Sequence, residues 1–303
     1  PICFGYDPFY FHMFSLLLHI GCVCLVWKLI SSLLRVHGGV SEKQILYVNF
    51  ITTLLFAVHP INVEAVAWIS ALKVLLYAFF YLLGLLCYLR YIRTSKIFYY
   101  VLTIGCFLCS FWGKEQAVTF PLALLIVDWF TNRNMKNLEV WSEKMSFLIM
   151  AFFFGIITVL SQGKGPYEMI FPLYQRLLFG CFALVEYITK SLLPVNLNFF
   201  YPFPIVLGEE PPLHYYLYPV VLLFLMGWII AYRNNRYLVF GVLLFLVNLL
   251  FSIHLFNMSR HAIVADRYMY LSYVGIAFLI ANGIWWLRKR LSYFKAALVF
   301  LFT

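Results

Sequence analysis

The sequence predicts an all-α fold, a polytopic transmembrane helix bundle of about eleven apolar segments. Three observations predict it. Of 303 residues, 64% are hydrophobic and only 11% are charged, whereas the surface of a soluble domain this size would carry about a quarter charged residues. Apolar runs long enough to cross a hydrocarbon core, roughly 20 residues at about 1.5 Å each, recur along the whole chain. The runs are continuous rather than alternating, which disfavours a closed β-barrel.

Charged and Pro/Gly-rich breaks set the segments. The first, 9–34, is entered through Asp7-Pro8; the second, 44–58, stops before Pro60; the third is 74–92. Segments 97–112 and 117–131 flank Lys114-Glu115-Gln116, and 145–160 follows a basic stretch. The run 172–193, bounded by Phe171 and Pro194, is interrupted by Gln175, Arg176, Glu186 and Lys190. Segments 213–232, 237–256 and 269–287 follow, and a last one begins near 293. The chain starts at Pro1 and stops at Thr303 within the apolar run Ala296 to Phe302, so residues 1–303 read as one transmembrane domain cut from a longer protein.

Lys and Arg concentrate in five alternate junctions: Lys28, Arg35 and Lys43; Arg90, Arg93 and Lys96; Arg133, Lys136 and Lys144; Arg233 and Arg236; Arg288, Lys289, Arg290 and Lys295. Short basic loops stay cytoplasmic, which accounts for the net charge of +10 without any nucleic acid. Parity closes only if one of three consecutive segments, 145–160, 172–193 or 213–232, is not a simple span. The polar 172–193 is the prime suspect, re-entrant or lying along the interface. Six of the seven cysteines lie inside apolar segments; Cys106 and Cys109, although spaced C-x-x-C, read as small buried hydrophobes. No metal-ligand set and no disulfide framework are implied.

The opposite, outer side carries a list of polar residues mixed in sign. In His59-Pro60-Ile61-Asn62-Val63-Glu64, Asn62 is placed to cap a new helical turn that Glu64 opens. Glu64 and Trp68, four apart, would present a carboxylate and an indole on one face, a pair suited to a sugar or a lipid headgroup. Lys73 would point the other way if that helix were unbroken. Lys114-Glu115-Gln116 reads foremost as a tight outer turn, with part of a cavity as the alternative. In Arg260-His261-Ala262-Ile263-Val264-Ala265-Asp266-Arg267-Tyr268, the two arginines are seven apart and suit a phosphate, while Asp266 is placed to pair with a neighbouring arginine.

These stretches resemble a known family, the polytopic glycosyltransferases of the C-type fold, in particular the transmembrane O-mannosyltransferases acting on cadherins and their bacterial tetratricopeptide-repeat relatives. The resemblance rests on Tyr6-Asp7-Pro8-Phe9-Tyr10-Phe11-His12, on His59 to Lys73, on Lys114-Glu115-Gln116-Ala117-Val118-Thr119 with Pro121 and Asp128, on Tyr201-Pro202-Phe203-Pro204, and on Ala265-Asp266-Arg267-Tyr268-Met269-Tyr270-Leu271. It implies transfer of a sugar from a polyprenyl-phosphate carrier to an acceptor hydroxyl, protein or glycan, on the periplasmic or luminal side of a bacterial inner membrane or endoplasmic reticulum. No cofactor beyond the lipid-linked donor follows from it. It also implies that a first outer loop with the catalytic acid precedes Pro1 and that a repeat domain follows Thr303. Within this chain Glu64, Glu115 and Asp266 are then the candidate acids. His59, Trp68, Lys73, Lys114, Arg260, His261, Arg267 and Tyr268 are the candidates for substrate and lipid phosphate. Relatives tend to read Gly-Arg-Lys-Asp where this chain has Ala71-Leu72-Lys73-Val74, and that departure supports a non-catalytic scaffold as one alternative. A lipid flippase or transporter is the other, on Asp128 and Glu186 within apolar segments.

Overall fold

The computed structural model describes residues 7–161, 171–253 and 262–302, with side chains described as far as Leu291. Eleven α-helices, linked by short 3-10 turns, make up nearly all of this. The first, α1 (Pro8–His37), starts on Asp7, whose carboxylate accepts from the Phe9 amide at 3.0 Å, with Pro8 in the first turn. Helix α2 (Glu42–Val58) is capped by Ser41. Pro60 then turns the chain, and the single turn α3 (Val63–Ala67) follows at a bend of 50°. Trp68 is extended, so no unbroken helix connects Glu64 to Lys73. Next come α4 (Leu72–Thr94), α5 (Ile97–Gly113), α6 (Phe120–Phe130), α7 (Leu138–Ser161), α8 (Leu173–Leu192), α9 (Leu217–Ala231), α10 (Arg236–Leu249) and α11 (Met269–Phe302).

Five stretches among the described residues are long and apolar enough to cross a membrane: Pro8–His37, Ile69–Thr94, Leu138–Thr158, Leu213–Ala231 and Asp266–Leu291. The bent pair of α2 with Pro60–Ala67 would make a sixth. The protein is an integral membrane protein. Helix α8, 20 residues long, is outside that set and carries Arg176, Glu186 and Lys190.

Two expected boundaries are corrected. Helix α7 begins at Leu138 rather than 145, so Glu143 and Lys144 belong to its first turns and Lys144 is wholly buried instead of solvated in a loop. The separate segments 269–287 and 293 onward are one helix, because Leu, Arg and Lys are good helix formers and no Pro or Gly follows Gly283 to break it. About 20 residues suffice to cross the core, so α11 has done so by Arg288 and its basic turn emerges beyond.

Close packing explains the core. A Cβ on Gly275 of α11 would lie 2.5 Å from the Gly241 carbonyl of α10 and 2.8 Å from the Phe245 amide, so the two helices cross backbone to backbone. Gly113 likewise lets the end of α5 rest on the Tyr77 backbone of α4. His19 of α1 bridges the Tyr270 hydroxyl at 2.7 Å and the Ala57 carbonyl at 3.1 Å, tying three helices with one ring.

The basic ends of the helices gather at one end of the bundle. The His37 ring meets the Phe130 carbonyl at 2.7 Å, Asn132 donates to the His37 carbonyl, and Arg236 donates to Trp129 and Asn132. A cluster balanced in charge lies there, its centre buried. Asp128 and Lys144, both fully buried, pair; Arg133 grips Glu143 through two nitrogens at 2.7 and 3.0 Å; and the Tyr88 hydroxyl donates to Asp128 at 2.8 Å. Two cations from neighbouring elements, Arg133 and Lys144, accompany Asp128 near the end of α6.

Candidate functional site

The opposite end of the bundle collects the polar patches that are far apart in sequence. Because the chain bends at Pro60 and again at Trp68, the turn Val63–Ala67 faces the 3-10 turn Asp266–Tyr268 that leads into α11. Glu64 accepts from the Arg267 backbone amide at 2.7 Å and pairs with its guanidinium. The Glu64 side chain is 8% exposed and that of Arg267 21%, so water screens this pair less than a surface one. The guanidinium carbon also lies 4.9 Å from the Trp68 ring centre and 5.1 Å from that of Tyr268. A planar cation held by a carboxylate and two rings has a fixed orientation, and it retains further N–H groups to donate.

Asp266 does not pair with an arginine, contrary to the sequence expectation. It is buried, accepts from the Tyr201 hydroxyl at 2.9 Å, and leaves its second oxygen, Oδ1, without a hydrogen-bond partner. Tyr201 in turn accepts from Lys190 at 2.9 Å, and Lys190 sits 3.5 Å from Glu186 on α8. Burial raises the Tyr201 phenol above its ordinary range, so it stays protonated and donates toward Asp266. The loop is pinned by a two-residue bridge in which the Ile263 amide donates to the Tyr201 carbonyl at 2.9 Å. Tyr201, Lys190 and Glu186 were missed as site residues. The acid and base at i, i+4 on α8 were the available signal.

A cavity of about 800 Å³ opens between these elements, lined by Glu64, Trp68, Pro60, Asn198, Phe199 and Asp266 among others. Its walls are mostly apolar with a few convergent polar groups, the usual make-up of a small-molecule site. The chain before α6 is not a simple turn. Lys114 and Gln116 are both buried, Gln116 donates to Ser252, and the Lys114 ammonium lies 4.4 Å from the centre of the Tyr268 ring. Tyr268 thus contacts both Lys114 and Arg267. Glu115 points elsewhere, into an apolar groove of about 690 Å³ lined by Val118, Leu122, Leu148, Phe152 and Phe251.

Other expected members take different places. His59 accepts from the Ile61 amide and stacks on Tyr273 at 4.4 Å, a turn-closing role. Asn62 does not cap α3; its amide donates to the Phe56 carbonyl at 2.7 Å and closes the end of α2. Lys73 is exposed at the start of α4 and lines neither cavity. Arg260 and His261 lie outside the described residues. Among the described residues no group of three or more His, Cys, Asp or Glu could hold a metal.

Fold and cluster together define a polytopic helical membrane protein with a mostly apolar pocket, edged by a few polar groups, at one end of its bundle. The chain is related to the protein O-mannosyl-transferases. It is 33% identical over 143 residues to protein O-mannosyl-transferase TMTC2 of Homo sapiens, which is 45% of this chain and 16% of that protein. Similarity to Tmtc3 of Drosophila melanogaster is 28% over 153 residues, 44% of this chain and 16% of the relative. For TMTC1 of Homo sapiens it is 29% over 144 residues, 44% and 15%. The chain therefore matches about a sixth of the length of these curated relatives. No family profile and no solved structure matches it.

Proposed function

We propose that the chain is part of the membrane domain of a glycosyltransferase that moves a sugar from a polyprenyl-phosphate-linked donor to an acceptor hydroxyl, of a protein Ser or Thr or of a glycan, on the luminal or periplasmic side. The observation that carries the reading is Arg267 clamped by Glu64 and Trp68, two residues that line a cavity together with Asp266, in a chain whose relatives are named O-mannosyl-transferases. The guanidinium N–H groups not engaged by Glu64 donate to the donor's phosphate, and Lys114, across Tyr268, adds a second positive charge. Trp68 offers a ring face for the sugar. The apolar groove beside Glu115 gives the prenyl chain a dry path along α6 and α7.

Of the three candidate acids, Glu64 is committed to Arg267 and Glu115 faces the groove, while Asp266, which lines the cavity, makes no ion pair among the described residues and leaves its buried Oδ1 without a hydrogen-bond partner. Asp266 is the group of this chain best placed to accept the proton of the attacking hydroxyl. As the acceptor oxygen bonds to the anomeric carbon, the bond from that carbon to the phosphate oxygen breaks, the proton goes to the carboxylate and the lipid phosphate leaves against Arg267.

The test is transfer by the full-length protein in vesicles, with polyprenyl-phosphate mannose as donor and an acceptor peptide. Arg267→Ala and Asp266→Asn are each expected to lower transfer by about a hundredfold or more, the scale of one electrostatic or acid-base contribution. Thermal stability in detergent checks that the protein remains folded. Unchanged transfer by folded Arg267→Ala removes the phosphate role, and unchanged transfer by Asp266→Asn moves the base to another residue.

A further inference from the structure

A second polar pocket lies at the basic end of the bundle, away from the cluster just described. It has a volume of about 500 Å³ and is lined by Gly39, Ser41, Lys43 and Gln44 at the start of α2 and by Trp285, Arg288 and Lys289 on α11. Three cations from two helices meet in it. The acid beside Lys43, Glu42, is paired with Arg35 at 3.1 Å. The Arg288 guanidinium is 5.2 Å from the Tyr47 ring, which packs on Trp285 at 5.4 Å, so the cationic wall stands on an aromatic floor. Arg290 lies over Trp286 in the same way at 5.2 Å.

What flanks this pocket decides what fits it. On α2, Lys43, Phe50 and Leu54 stand at i, i+7 and i+11 and share one face, and both apolar members are exposed. On α11, Ile284, Leu287 and Arg288 share a face, again with the apolar members exposed. Two bare apolar ridges therefore run from the basic pocket toward the middle of the bundle. A soluble anion would use the cations and leave the ridges unused; a phospholipid uses both.

We propose that this pocket binds the phosphate-bearing headgroup of an anionic phospholipid from the leaflet at the basic end of the bundle, with its acyl chains lying along the exposed faces of α2 and α11. Basic pockets between transmembrane helices recognise lipid headgroups in this manner.

The experiment uses the full chain in nanodiscs and a photoactivatable phosphatidylglycerol, diluted into phosphatidylcholine, as the probe. Crosslinks to the wild-type protein are expected on the peptides that contain Lys43 to Phe50 and Ile284 to Leu291, and a phosphatidylcholine probe of the same design should give few. The combined variant Lys43→Gln, Arg288→Gln and Lys289→Gln is expected to weaken binding of a short-chain phosphatidylglycerol by on the order of a hundredfold, about a factor of five per cation. A control with Arg93→Gln and Lys96→Gln, at the same end of the bundle, should change it by less than about threefold. Equal loss in both variants would show diffuse charge attraction and overturn the site. Competition by millimolar inorganic phosphate as effective as that by the lipid would assign it to a soluble anion instead. Should the triple variant fail to fold, the crosslink map on the unaltered protein decides alone, and labels scattered over all helices would refute the proposal.

Discussion

Single side chains in this protein act through partners remote in sequence. Arg267 is 203 positions from Glu64, yet the two share a backbone hydrogen bond and a side-chain ion pair. The quartet of Asp128, Arg133, Glu143 and Lys144 is balanced in sign, two acids against two bases, and its central pair, Asp128 and Lys144, is fully buried, so removing either of these leaves an uncompensated charge in a dry place. Breaking such a pair costs about 3 to 5 kcal/mol. Asp128→Ala is therefore expected to destabilise the protein by roughly 3 kcal/mol, read as a drop in the detergent unfolding midpoint. The double variant Asp128→Leu with Lys144→Met should recover most of that loss, because it deletes both charges. A double variant no more stable than Asp128→Ala would mean that hydrogen bonding by Tyr88, rather than charge balance, governs the cluster.

At the scale of elements, the bundle is shaped by where helices stop and where they touch. Pro60 and the extended Trp68 break what composition alone would allow as a longer helix, and those breaks turn Glu64 toward α11. The α10 to α11 crossing depends on Gly241 and Gly275. A methyl at Gly275 would have to displace backbone, not a flexible side-chain tip, so Gly275→Ala should cost about 1 to 3 kcal/mol and move the turn that carries Asp266 and Arg267. Gly155→Ala, where a Cβ would meet open space, serves as the control. If Gly275→Ala melts at the same temperature as wild type, the two helices do not cross as closely as described. The sequence showed nearly every helix through its apolar run. It blurred α7 and α11, because charged residues such as Lys144 and Arg288 count as loop signals in a composition scan although both are good helix formers.

Across the whole molecule, polarity is divided between two ends: basic side chains gather at one, and the mixed acid and base cluster with its cavity gathers at the other. The positive-inside tendency then predicts that the basic end is cytoplasmic. Single cysteines placed at Lys96 and at Leu197, in a background without native cysteines, should react with a membrane-impermeant maleimide from opposite sides of sealed vesicles. Labelling of both from one side would refute that division. Asp128 sits inside its ion cluster and Glu186 pairs with Lys190.

Residue order alone was enough to place this protein in its class. Hydrocarbon selects apolar runs by length and composition, both of which are local properties that need no partner. It also located the stretches around Glu64, Lys114 and Arg267, because consecutive polar residues between apolar runs stand out wherever the chain folds. Which of them meet was set by how the helices pack. That packing paired Arg267 with Glu64 and not with Asp266, seated Lys114 and not Lys73 beside Tyr268, and brought Tyr201 and Lys190 to Asp266. Pairing depends on helix breaks and on glycine-permitted crossings summed over the whole bundle, and no local spacing encodes that sum.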